Sequence, residues 1–194
     1  MKPLAISLLT VLVTPPAMAQ EPPMTIQQLQ REGIFENIIV APYQPLRLAN
    51  LVAQADLVIE ATTLAGKPSV TQDGVDIYTD VTFSLVSILK NKANPELMRG
   101  SVVTVRRNSG ALMIQGRTAI TLENEFPPFE QSQRYLLLLS RSRDGNFFSV
   151  VGGAQGAFML AEDAKPLSVW TSDPPIRTAT FLDEVRALVK YSSY

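Results

Sequence analysis

Any catalysis by this chain has to come from carboxylates, serines and lysines, because the chain contains no histidine and no cysteine. Their absence removes the commonest general base and the thiolate nucleophile, so Ser-His-Asp and Cys-His catalysis are impossible. It also removes zinc sites of the usual His/Cys type, haem held on histidine, and iron–sulfur clusters. Carboxylate acid/base work, a Ser-Lys pair and an oxygen-liganded metal remain open.

Asp73, Asp76 and Asp80 place three carboxylates within eight residues, beside Gly74. Oxygen ligands so spaced could hold calcium, but the twelve-residue EF-hand frame is missing, and position 84, where its terminal glutamate would fall, is Ser84. A polar hairpin tip with an outward-facing strand residue is the plainer reading. Glu123, Glu125 and Glu130 flank Phe126-Pro127-Pro128-Phe129. Two of these acids could perform glycosidase-type work if they stood about 5–9.5 Å apart in a cleft. The plainer reading is a solvated loop stiffened by its prolines. On such a loop Phe126 and Phe129 are the candidate binding residues, since exposed rings on a rigid segment anchor a partner at low entropy cost. The competing expectation is that both rings plug a barrel end.

Arg106 and Arg107, with Arg99 and Arg117 nearby in sequence, could form an anion or sugar-acid site. Adjacent strand residues point to opposite faces, so Arg106 and Arg107 cannot serve one pocket without a bulge; a solvated edge that discourages strand addition is the expectation. Gly152, Gly153 and Gly156 lack a P-loop lysine and a following helix and read as barrel corners. Ser87/Lys90 and Ser69/Lys67 are the local Ser-Lys pairs, and neither sits in a recognisable motif. No catalytic residue, metal ligand or cofactor is assigned.

The segments that must position these residues begin with an export signal. Lys2 precedes an apolar stretch from Leu4 to Val13, and Ala17-Met18-Ala19 offers the small residues a signal peptidase reads. The stretch is shorter than the roughly 20 apolar residues a membrane span needs. Cleavage after Ala19 removes 19 of the 194 residues and leaves about 175, without a membrane span and without a cysteine for lipid modification. The formal net charge moves from −1 to about −2 with the loss of Lys2, which leaves no basic excess to recruit nucleic acid. Hydrophobic residues make up 46% and charged residues 18%, as expected of a domain with a real core. Without disulfides, stability must come from packing.

From Gln20 to Gln54 the sequence predicts a leader and short helices. Thr25 and Gln28 form a capping-box pattern for a helix through Arg31, stopped by Gly33. Ile38-Ile39-Val40 could be a short strand, and a second helix is expected over 46–54. Residues 55–161 then turn to strands with turn signals between them, the pattern of an all-β barrel or sandwich. Within 77–89 the apolar parity runs through Ile77, Val81, Phe83 and Leu85, then switches to Val86 and Ile88, which predicts a β-bulge near Leu85-Val86. Residues 162–194 form an extension: an irregular stretch around Trp170, then a helix capped by Thr180 with an apolar stripe of Phe181, Val185, Leu188 and Val189.

Ala55-Asp56-Leu57-Val58-Ile59, Thr79-Asp80-Val81-Thr82-Phe83 with Ile88-Leu89-Lys90, Arg134-Tyr135-Leu136-Leu137-Leu138-Leu139, and the hairpin from Asp144 to Gly156 resemble a set of exported bacterial β-proteins of unknown function. In that set an ADLVV.G strand precedes T.V.F.V..VLKG, followed by a YLLFL strand and a DG.Y.VVGG.QG hairpin. The strand order is similar, more distantly, to the OB-like barrel of netrin-type modules and tissue inhibitors of metalloproteinases. Those barrels rely on disulfides, and the inhibitors on an N-terminal cysteine that this chain lacks. The resemblance covers roughly 50–160 and implies a mainly β fold: an OB-like antiparallel β-barrel with short N-terminal helices and one C-terminal helix. The expected role is an exported, periplasmic or secreted, non-enzymatic binding module for an envelope or extracellular protein or polymer. The alternatives are a carboxylate-dependent hydrolase of such a polymer and a metal-free protease inhibitor.

Overall fold

Long alternating strands closed on themselves make up the centre of the molecule. The computed structural model describes residues 24–32, 36–39, 45–93, 95–123, 126–167 and 176–192. The expected export signal, the Gly33 stop, Val40, Glu125 and Trp170 lie outside them. In chain order the elements are α1 (Ile26–Arg31), β1 (Glu36–Ile39), α2 (Leu48–Gln54), β2 (Leu57–Val70), β3 (Ile77–Asn91) and β4 (Val102–Arg107). They continue with β5 (Gly110–Ile114), β6 (Arg117–Glu123), β7 (Arg134–Arg141), β8 (Phe148–Val150), a 3-10 turn (Gly153–Gly156), β9 (Ala157–Leu160), β10 (Asp163–Pro166), β11 (Ile176–Arg177) and α3 (Thr178–Tyr191).

Five strands close a barrel. β2 pairs antiparallel with β3 and β3 with β4; β4 runs parallel to β8; β8 pairs antiparallel with β7, and β7 returns to β2. Bending β2 and β3 enough to take part in that closure requires extra residues. The register skips Val86 between Leu85 and Ser87, Leu89 between Ile88 and Lys90, and Leu64 on β2. The expected bulge near Leu85-Val86 is therefore present, with two more along the same ribbon. It does what the parity switch requires: Val81, Phe83 and Leu85 face the barrel interior before it, and Ile88 joins the same interior after it.

β7 and the first half of β2 are buried on both faces. Leu57, Ile59, Ala61, Val103, Val105, Tyr135, Leu137 and Leu139 fill the interior. Val58, Leu136 and Leu138 point outward into a second core under α2 and α3, formed with Leu51, Val52, Phe158, Phe181, Leu182 and Val185. Two-sided burial explains why β7 reads as an unbroken apolar run, Tyr135 to Leu139, rather than as an alternation. Lys90 is buried under α2, where its Nζ donates to the carbonyl oxygens of Val52 (2.7 Å) and Ala53 (3.2 Å). A cation suits those C-terminal carbonyls, and the amine so committed is no free base for Ser87.

Local signals in the sequence are realised with some shifts. The capping box forms: Thr25 N–H donates to Gln28 Oε1 (2.7 Å), and Gln28 N–H to Thr25 Oγ1 (3.3 Å). β5 and β6 form a hairpin whose turn residues Gln115 and Gly116 both have positive φ, 51° and 79°, the geometry that suits the strand twist. β1 pairs parallel with β6. The C-terminal helix starts two residues before the expected Thr180 cap. There Thr178 is held instead by its side chain to Ala161 O (2.8 Å) and its N–H to Glu162 O (3.0 Å). Leu182 joins the apolar stripe because α3 buries a wider face than the 3–4 spacing of the stripe implied. β10 and β11 add strands where a loop was expected, pairing in turn onto β9. Among the described residues no helix is long and apolar enough to cross a membrane.

Candidate functional site: the polar mouth of the barrel

Beyond the apolar filling of the barrel, the inward-facing positions become polar. On β4 the interior parity passes from Val103 and Val105 to Arg107, and on β2 from Ile59 and Ala61 to Thr63. These residues border a cleft of about 490 Å³ at one end of the barrel. Ala65, Gly66 and Pro68 of β2, Thr79 and Val81 of β3, and Gly110 and Ala111 of β5 line its walls, and Pro128, Phe129 and Gln131 form one side. Gly110 is needed there: a Cβ on it would stand 2.6 Å from Thr79 Oγ1, the hydroxyl that donates to Ser109 O at the same distance.

Phe126 and Phe129 separate the cleft from the apolar core. Phe126 is buried, and Phe129 is half-buried with part of it on the cleft. Edge-on contacts join Phe129 to Phe126 (5.5 Å between centroids), to Phe83 (5.1 Å) and to Tyr135 (5.1 Å). Glu130 N–H donates to the Tyr135 hydroxyl (2.9 Å), fixing the loop to the ring cluster. The exposed two-ring anchor is therefore not formed. The rings face inward because the loop must cover the barrel end, where apolar area gains most from burial.

The two neighbouring arginines part as strand geometry requires. Arg106 points outward, but not into solvent. It makes a two-point ion pair with Asp80 (2.7 and 2.8 Å), and its guanidinium lies between the rings of Tyr78 (3.8 Å) and Phe147 (3.9 Å). Both faces and one edge of that cation are used, so the solvated-edge expectation is corrected. Asp80 is thereby taken from the carboxylate trio, while Asp73 accepts from Thr71 Oγ1 and Val75 N–H at the hairpin tip. The three acids do not converge on a cation.

Arg107 points inward. Its Nε donates to Phe126 O (3.0 Å), and its guanidinium lies 5.5 Å from the Phe126 ring centre. Burial lowers its pKa, and the charge of Glu123 raises it again only in part. Among the described residues no carboxylate reaches it within salt-bridge distance. Glu123, half-buried at the end of β6, has its Oε2 buried without a hydrogen-bond partner among the described residues. Burial raises its pKa, and the opposing pull of Arg107 and the Asn108 backbone N–H is weaker. Glu130 is exposed. Arg107 and Thr63 were both legible from parity, as the next inward positions of their strands; only the cleft that joins them was not. Gly152 and Gly153, both at positive φ, bend the chain into the 3-10 turn, consistent with corners.

The raised pKa of Glu123 has a measurable consequence. The folded state holds this proton to higher pH than the unfolded chain does, so the stability it contributes is present in acid and lost as pH rises through the raised folded-state titration. Glu123→Gln is expected to remove that slope and to stabilise the protein at pH 7 by about 1 kcal/mol. Urea unfolding of both proteins at pH 4.5 and 7 checks it; parallel pH profiles would show that Glu123 carries no such strain.

No protein-family model matches this chain, and no curated protein matches it in sequence.

Proposed function

We propose that the chain is an exported, non-enzymatic binding module, built on an OB-like barrel, that takes an envelope or extracellular ligand in the cleft at the barrel mouth. The observation that carries this is the cleft itself: about 490 Å³, within the range of small-molecule sites, with small apolar walls, an aromatic side, and Arg107 and Gln131 among its polar lining residues. A carboxylate-dependent hydrolase would need two acids facing this space, and its described lining has none. The closure order β2-β3-β4-β8-β7, with β4 and β8 the parallel pair, supports the OB-like reading. Export rests on the apolar N-terminal stretch and the Ala17-Met18-Ala19 site.

The test uses Ala111, an exposed residue on the cleft wall. Ala111→Trp fills the mouth without touching the core. Soluble envelope sugars and short peptides are titrated into isotope-labelled protein, reading the amide signals of Thr63, Gly66 and Gly110. Compounds that move those signals in the wild type are expected to lose at least about tenfold in affinity in A111W, with urea unfolding unchanged. Ligands that bind both proteins alike, or a panel that moves none of these amides, would overturn the reading.

A further inference from the structure

Resting on the cleft reading, we infer that the ligand is an acid: a small molecule, or the end of a polymer, that presents a carboxylate or phosphate oxyanion to Arg107. Three observations converge on this chemistry. First, Arg107 occupies an inward position on a strand whose other inward residues, Val103 and Val105, are apolar and buried. A cation placed there gives up water, and a protein ordinarily compensates with a bonded carboxylate. Among the described residues none is bonded to it; Glu123 is near enough to be felt and too far to pair.

Second, the guanidinium is held in position without being used up. Its Nε is occupied by Phe126 O, while the described residues accept no hydrogen bond from its Nη groups. The contrast with the adjacent Arg106 is direct, since that guanidinium is already paired with Asp80 and stacked on both faces. A fork anchored at Nε, with its outer donors left over, matches the two oxygens of a planar oxyanion. Third, among its described lining residues the cleft carries no carboxylate, so none of them competes with an incoming oxyanion for the guanidinium. The remaining walls suit a compact body behind the acid: Val81, Ala65, Gly66 and Pro68 on one side, the Phe129 ring on the other.

The test compares matched acids and neutral analogues on the wild-type protein, so it does not depend on any variant folding. Benzoate against benzamide, glucuronate against glucose, and phenyl phosphate against phenol are titrated while the Thr63 and Gly110 amides and the Arg107 Nε–H are followed. The acid of at least one pair is expected to bind at least about tenfold more tightly than its neutral partner. The better of the carboxylate and phosphate arms identifies the oxyanion. Arg107→Gln is expected to abolish the preference in a protein that still unfolds cooperatively in urea. If neutral analogues bind at these signals as well as the acids do, the cleft reading stands and the acid inference falls. If no compound of either kind moves them, both fall. An acid preference that survives intact in a folded R107Q protein would also overturn the assignment.

Discussion

Phe126→Ala is expected to cost about 3–5 kcal/mol of stability, which for a chain of this size lowers the melting temperature by roughly 10 °C. The ring is 4% exposed, stands edge-on to Phe129 and supports the carbonyl that holds Arg107 Nε. Truncating it removes buried apolar area and opens a void beside Phe129 at the end of the barrel-interior cluster, where closed strands allow little collapse. Phe129→Ala should cost less, about 2 kcal/mol, because that ring is already half-solvated on the cleft. Urea unfolding of both variants decides the matter. Two surface anchors would each change stability by less than about 0.5 kcal/mol, and such a result would overturn the inward placement. The order of the two values also bears on binding. For the proposed ligand, F126A is expected to act through the loop and Arg107, and F129A on the cleft wall directly.

These rings show where sequence reasoning reached its limit. The alternation in β3 was enough to expect a bulge at Leu85-Val86, because a period-2 pattern cannot change face without an extra residue. The capping box at Thr25 and Gln28 and the hairpin about Gly116 were equally local, set by side chains within three residues of the backbone groups they satisfy. Phe126-Pro127-Pro128-Phe129 carries no such local instruction. Whether its rings face out or in depends on what the barrel end leaves uncovered, which is a property of five strands together. β10 and β11 were missed for the same reason: Asp163–Pro166 has weak strand character and is strand only because β9 offers it an edge.

The candidate site divides along the same line. That Arg106 and Arg107 must face opposite sides follows from the pleat alone, and they do. What each then meets is tertiary: Asp80 and two rings for one, a carbonyl and a cleft for the other. Glu123 was singled out for acid/base chemistry as one of three nearby acids. Its surroundings instead make it a strained, half-buried carboxyl that is not among the described residues lining the cleft. A carboxylate's role is set by what excludes water from it, and a linear spacing does not report that.

The second large effect concerns Glu60, where the exposed partner of an ion pair should matter more than the buried one. Glu60 lies on the outward face of β2 beneath α3, with its side chain 3% exposed. Arg134 of β7 bonds to one of its oxygens, and Arg186 of α3 lies 3.8 Å from the other. Both arginines are about half-exposed, so either can turn to water if the carboxylate is removed. The carboxylate has no such escape. Arg134→Met keeps the packing of the stem but leaves a buried anion whose one remaining cationic neighbour among the described residues is Arg186, 3.8 Å away, at an expected cost of about 3 kcal/mol. Glu60→Gln keeps the shape and removes the charge, and should cost only about 1 kcal/mol. The decisive measurement is the double variant. With no anion left to strand, R134M/E60Q is expected to be more stable than R134M alone, a reversal that additive surface pairs cannot produce. An R134M protein within 0.5 kcal/mol of wild type, or a double variant less stable than R134M, would place Glu60 in contact with water. The cooperation of barrel and C-terminal helix would then rest on the apolar contacts of Phe181, Leu182 and Val185 alone.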